Sequence, residues 1–384
     1  VAREPAARKP GTLQVFSEAR LPIGWAEALS SLTAVDLEIR LRHGEPDYEV
    51  ELTLNGGQVF SGGHLKAGVL DWVPSGDAVT DGRYLFDQLF RDEPPRKGWN
   101  IARGQADLQG APRRIRLRID ANASELHQLP WELLHEDDVM LSAAEATPFS
   151  RYLPIAQPWG RPVADRPLRV LAVIANPPDL ADRYHMTPLD VDLERYVLAS
   201  AFAGIDPRRL RLEFLKPPVT LERLSRAMME EGYHWLHFVG HGRYNSRQQR
   251  LDLLMEDGRG ATRAIADHLF CRMLAHRGVQ PHLVFLSVCE SAAIAGAGDG
   301  QILTGLAPRL VQIGVPAVVA MRAPIHLQSA QKLARAFYAS LADDGVVDRA
   351  LNRARHQLLA AELADAGSPV LFMRLLSGRL WDTD

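Results

Sequence analysis

Five apolar runs of strand length alternate with helical patterns along the second half of the chain, at Leu168 to Ala175, Arg209 to Lys216, His234 to Val239, His282 to Val288 and Pro316 to Met321. The helices between them fall at Asp190 to Phe202, Leu221 to Glu231, Thr262 to Arg277 and Ile302 to Ile313. Strands joined through helices run parallel with right-handed crossovers, so the alternation predicts a mostly parallel α/β sheet with helices on both faces. Leu251 to Met255 reads as a short extra strand. Two amphipathic helices, Gln328 to Leu341 and Val346 to Ala364, are expected to cover one face.

The first half is patterned differently. Residues 1–24 are basic and rich in Ala and Pro, which reads as a tail or linker. Alternating apolar residues at Ala34 to Arg42 and Tyr48 to Leu54 predict two strands paired across the Gly44-Glu45-Pro46-Asp47 turn. Helices are expected at Asp81 to Arg91 and Ile101 to Leu108, and strands at Arg114 to Ile119 and Phe149 to Pro154. Ala123 to Glu136 reads as a helix that Pro130 kinks or divides. The Pro-rich stretch Gln157 to Pro167 marks the main boundary, giving a smaller α/β subdomain over 25–156 and a larger one over 157–384.

Composition narrows the class. The 384 residues are 46% hydrophobic, enough for a large core, and the formal net charge of −3 speaks against a dominant nucleic-acid or anionic-membrane surface. Two cysteines do not make a disulfide framework, which suits a reducing cytoplasm. The sequence shows no membrane span and no signal-peptide core, and because it starts at Val1 it reads as a fragment of a longer polypeptide. The excess of arginine over lysine reads as a GC-rich bacterial genome.

Chemistry is carried by two of the strands. One ends in His241-Gly242, and another, roughly 50 residues on, ends in Cys289, the order that a caspase uses. Reacting groups gather at the carboxyl ends of parallel strands, so an imidazole and a thiol there face one cleft. The imidazole takes the thiol proton and leaves a nucleophile for an acyl carbon, while the N–H groups of Gly242 and Cys289 are placed to stabilise an oxyanion. Each residue alone has a plainer reading, since a buried Cys is commonly an inert small hydrophobe and a strand-end His a structural hydrogen bonder. The joint pattern favours the dyad. Cys271, inside a helical pattern, reads as packing. His234 and His237 fall on opposite faces of a strand, which argues against a metal site, and His237 reads as a core histidine or one that orients the loop carrying His241. Gly296 to Gly300 lacks a full phosphate-binding spacing and reads as a mobile loop beside the site.

Several blocks together resemble the CHAT domain family, a branch of the caspase-like cysteine peptidases that includes relatives of separase. They are His237-Phe238-Val239-Gly240-His241-Gly242, Ser287-Val288-Cys289-Glu290-Ser291-Ala292, Gly298-Asp299-Gly300, and Ile313 to Ala320. Leu129-Pro130-Trp131-Glu132-Leu133-Leu134-His135 and Ser150-Arg151-Tyr152-Leu153-Pro154 carry the same resemblance upstream. It implies a caspase-like fold, His241 as general base and Cys289 as nucleophile in peptide-bond hydrolysis, with no metal or organic cofactor. Ser287-Val288 departs from the Gln-Ala of caspases, and Met321-Arg322-Ala323 stands where an aromatic is common in the family. For the first substrate pocket, Asp299 would select Arg or Lys and Arg322 an acidic side chain; the Gly-Asp block inclines the reading to Asp299. The family setting implies a regulated endopeptidase that cuts a partner protein under control of a sensing module, in bacterial stress, cell death or antiphage defence. A catalytically silent scaffold is the alternative.

Overall fold

The computed structural model describes residues 34–153, 160, 162–164, 167–245, 247–248, 250–275, 280–289, 305–323 and 325–381. The tail reading of 1–24, much of the Pro-rich boundary, and the glycine-rich run with Asp299 lie outside the described residues.

In the first half, β1 (Val35–His43), β2 (Tyr48–Leu54) and β3 (Gln58–Leu65) form a meander. Two helices follow, α1 (Ala78–Leu89), capped by the Asp77 carboxylate on the Thr80 N–H, and α2 (Glu93–Gln109), which ends on left-handed Gly110. Then come β4 (Arg113–Ile119), a small hairpin of β5 (His135–Glu136) and β6 (Val139–Met140), and β7 (Phe149–Tyr152). Strand β3 is an addition to the sequence reading. Its glycines and exposed polar positions hide the alternation that marks β1 and β2.

The second half contains β8 (Leu168–Ile174), α3 (Leu180–Tyr184), α4 (Val191–Phe202), β9 (Leu210–Phe214), α5 (Leu221–Glu231) and β10 (Trp235–Asn245). It continues with β11 (Arg250–Glu256), β12 (Thr262–Ala266), α6 (Asp267–Leu274), β13 (Leu283–Cys289), α7 (Leu306–Gln312) and β14 (Ala317–Met321). The helices α8 (Leu327–Asp344) and α9 (Val347–Leu359) and the strand β15 (Pro369–Met373) close the chain.

Among the described residues, thirteen strands form one sheet in the order β12-β11-β10-β13-β14-β15-β7-β4-β1-β2-β3, with β8 and β9 branching from β10. Pairings β9–β8–β10–β13–β14 and β15–β7–β4–β1 are parallel, while the hairpins and the β14–β15 pair are antiparallel. This is the mixed, mostly parallel α/β sheet that strand and helix alternation implies. The β7–β15 pairing makes the sheet continuous between the two halves, and each half adds its own apolar core to it.

Two helix expectations are overturned locally. Thr262 to Ala266 is strand, not the start of a helix, because Asp257 accepts the N–H groups of Arg259 and Ala261, closing a turn that lays this segment on β11. The helix begins only at Asp267. Ala123 to Glu136 forms two short 3₁₀ segments, Ala121–Gln128 and Trp131–Leu133, rather than a kinked α-helix. Its carbonyls are used elsewhere: Trp131 Nε1 donates to Leu126 O at 2.7 Å, and Arg151 donates to His127 O at 2.7 Å and Leu129 O at 3.0 Å.

Arg151 and Glu132 explain the upstream signature. Both side chains are fully buried, and the guanidinium holds the carboxylate through two bonds, at 2.8 and 2.6 Å. The paired charges thus fix the Trp131 segment against β7.

Candidate active site

Strand β10 changes partners along its length. Trp235 to Val239 lie between β8 and β13, both parallel, and His241 to Asn245 outrun β8 and pair antiparallel with β11. The change falls where the parallel strands reach their carboxyl ends, the place where α/β sheets present ligands.

The register of β10 on β13 sets His237 opposite Phe285 and, four residues further on, His241 opposite Cys289. His237 stacks on Phe285 with ring centroids 4.7 Å apart, and its Nδ1 lies 2.8 Å from the Tyr338 hydroxyl on α8. Burial pushes the His237 imidazole down to about 3, so it is a neutral ring within the core. His241 is only 1% exposed, and burial lowers its pKa from the ordinary histidine value of 6.5. A neutral imidazole is the form that can accept a proton. Backbone register therefore makes His241 and Cys289 neighbours on adjacent strands.

Gly242 is the next residue of β10. A Cβ there would come within 3.0 Å of Val288 Cγ1 and 3.1 Å of Leu251 Cδ1, so the close approach on that side is to β13 and β11 side chains. Gly242→Ala is expected to lower stability by about 1 kcal/mol through this crowding, as a small drop in the urea midpoint; an unchanged midpoint would show that the neighbours give way.

Arg322 stands at the carboxyl end of β14, where its N–H donates to Ser368 O at 2.8 Å. Cys271 is buried in α6, and burial pushes its thiol up to about 12, leaving it protonated and inert. Among the described residues no three His, Cys, Asp or Glu side chains come together as a metal site, and no helix is long and apolar enough to cross a membrane.

Several buried acids, Glu194 among them, escaped the sequence reading. Glu194, in the first turn of α4, is 5% exposed, and Gln331 Nε2 of α8 donates to it at 3.2 Å. Burial raises its pKa, with nearby Asp190 adding to the effect. Acidic residues are ordinary in a first helical turn, so the sequence carries no signal that this one is turned inward.

A mostly parallel sheet with a His and a Cys in register at its carboxyl edge is the frame of this molecule. The chain belongs to the CHAT domain family, whose model matches residues 94–370. Among curated proteins none matches. Among solved structures it is similar to the Arg-specific cysteine proteinase gingipain R, with a TM-score of 0.44, 8% identity, and coverage of 72% of this chain and 66% of that one. The complex of RgpB pro- and mature domains from Porphyromonas gingivalis gives 0.44 at 9% identity, covering 74% and 69%. Separase in the Saccharomyces cerevisiae separase–securin complex gives 0.40 at 15% identity, covering 76% of this chain and 18% of that one.

Proposed function

We propose that the chain is a cysteine endopeptidase that hydrolyses a peptide bond in a partner protein, with Cys289 as nucleophile and His241 as base. The observation that carries this is the β10–β13 register, which sets the two residues opposite each other at the carboxyl edge. Membership of the CHAT domain family supports the same reading.

The chemistry follows from a neutral imidazole. His241 accepts the thiol proton as sulfur bonds to the substrate carbonyl carbon, and the N–H groups of Gly242 and Cys289 receive the developing oxyanion. The imidazolium then returns its proton to the leaving amine as the C–N bond breaks, forming a thioester. Water, deprotonated by the same imidazole, attacks that thioester; the C–S bond breaks, and the proton passes back to sulfur.

The test is to incubate the protein, Cys289→Ala and His241→Ala with a diverse peptide library and candidate partner proteins, reading new termini by mass spectrometry. Cleavage is expected from the unsubstituted protein and from neither variant. Cleavage surviving Cys289→Ala would overturn the assignment, and absence of any cleavage would favour a scaffold. Because burial lowers the His241 pKa, the acid limb of kcat/KM is expected below pH 6.5, with activity lost only as the pH falls through the lowered value. A limb above pH 6.5 would contradict a buried neutral base.

A further inference from the structure

Away from the candidate dyad, the first half of the molecule holds a slot of about 360 Å³ between α1, α2 and β5, a volume within the range of small-molecule sites. Each helix gives it one face at the i, i+3, i+7 spacing, with Arg83, Phe86 and Phe90 from α1 and Arg96, Trp99 and Arg103 from α2. The floor is aromatic. Trp99 and Phe90 are buried with ring centroids 4.7 Å apart, and Phe86, which is only half-buried, meets Trp99 edge-on at 5.3 Å.

At the β5 end of the slot the charges are already matched. Glu136 accepts from Trp99 Nε1 at 2.7 Å, from Arg103 at 2.9 Å and from Arg113 at 3.1 Å, while Arg83 donates to Asp137 O at 2.9 Å and to the Asp138 carboxylate. The other end, about 10 Å away along α2, is different. Arg96 is held there without being neutralised: its Nε donates to Phe90 O at 2.7 Å, and it forms no ion pair among the described residues, so both Nη groups stand as donors on a fork that the Nε bond orients. Between the two ends, Asp87 and Asn100 line the slot, and their side chains make no hydrogen bond among the described residues.

We infer that this slot binds a nucleoside monophosphate. The Arg96 fork takes the phosphate through paired N–H donors, and the base lies against Phe86, as flat rings do on aromatic side chains. The edge of the base then meets Asp87, a carboxylate that only accepts, and Asn100, an amide that both donates and accepts. A nucleobase carries N–H donors and ring-nitrogen or carbonyl acceptors on one edge, the pattern that an asparagine reads, whereas a plain aromatic acid offers the ring and the anion alone. The site stands apart from the peptidase reading, since α1, α2 and β5 carry neither His241 nor Cys289.

The experiment is calorimetry of the unsubstituted protein with adenosine, guanosine, cytidine and uridine monophosphates, each beside its free nucleoside, and with ribose 5-phosphate. At least one monophosphate is expected to bind, and its nucleoside and ribose 5-phosphate are each expected to bind about 10-fold or more weakly, the first for want of the anion and the second for want of the ring. Arg96→Met is expected to weaken the monophosphate about 10-fold or more, while Arg208→Met, at an exposed arginine paired with Asp206 elsewhere on the surface, is expected to leave it unchanged. No binding of any of the four at about 1 mM would overturn the proposal. So would ribose 5-phosphate or a nucleoside binding as tightly as the nucleotide, or equal affinities in the Arg96→Met and Arg208→Met proteins. Should Arg96→Met fail to fold, the comparison of ligands on the unsubstituted protein still decides. No arm reads peptide cleavage, so the result holds whether or not the dyad is active.

Discussion

Replacing Arg151 with Met is expected to lower the unfolding free energy by about 3–5 kcal/mol, a large fraction of the stability of an ordinary domain. The expectation follows from complete burial of both Arg151 and Glu132. Removing the guanidinium leaves a carboxylate in the core without its counter-charge, and it also releases the carbonyls of His127 and Leu129. Glu132→Gln removes only the charge and keeps an amide that can accept from Arg151, so a smaller loss is expected. Urea unfolding followed by circular dichroism measures both. A shift under about 1 kcal/mol for Arg151→Met would mean that water reaches the site.

Acid is expected to unfold the protein through histidines held neutral in the core. Burial brings both His127 and His237 to about 3, against 6.5 for the ordinary residue, with the Arg151 charge adding to the effect at His127. Between these values the unfolded chain binds protons that the folded one refuses, so stability falls as the pH drops from 6.5 towards 3. At pH 4.5 the loss relative to pH 7 is about 2.5 kcal/mol for each histidine, or about 5 kcal/mol together. His135 and His241, also lowered, act in the same direction. Asp36 and Glu194 have raised values and act oppositely, gaining stability as the pH falls through them. Urea midpoints at the two pH values test the sum. His237→Phe, which keeps a ring against Phe285, is expected to remove about half of the acid sensitivity. An unchanged pH slope would show that His237 protonates without unfolding.

The elements legible in the sequence are those whose local pattern and burial agree. Val35 to His43 alternates in sequence and is strand, and Leu221 to Glu231 has Thr220 as its cap and Gly232 as its stop, so its limits match the expectation. Thr262 to Ala266 and Ala123 to Glu136 were misread because partners distant in sequence decide them. Strand β11 recruits the first, and Arg151 and Trp131 take the carbonyls that a helix in the second would need. Similarly, His241 and Cys289 stand out as strand ends, whereas the inward turn of Glu194 depends on how α4 packs on α8, which no local pattern encodes.

The family match begins at residue 94, inside α2, yet the sheet begins much earlier. Strand β4 carries β1 along its whole length, from the Val35–Arg113 pair to the Leu41–Ile119 pair, and Arg116 reaches back to Asp36 at 2.7 Å. Helix α2 depends on the same meander, since a Cβ on Gly98 would come within 2.7 Å of Phe60 Cδ2. A fragment trimmed to the family limits would expose β4 as a bare edge carrying Ile115, Leu117 and Ile119, an invitation to strand-to-strand association between copies. A piece that keeps β4 paired on both sides is thus larger than the region that identifies the family, and its limit is set by the backbone partners of β4.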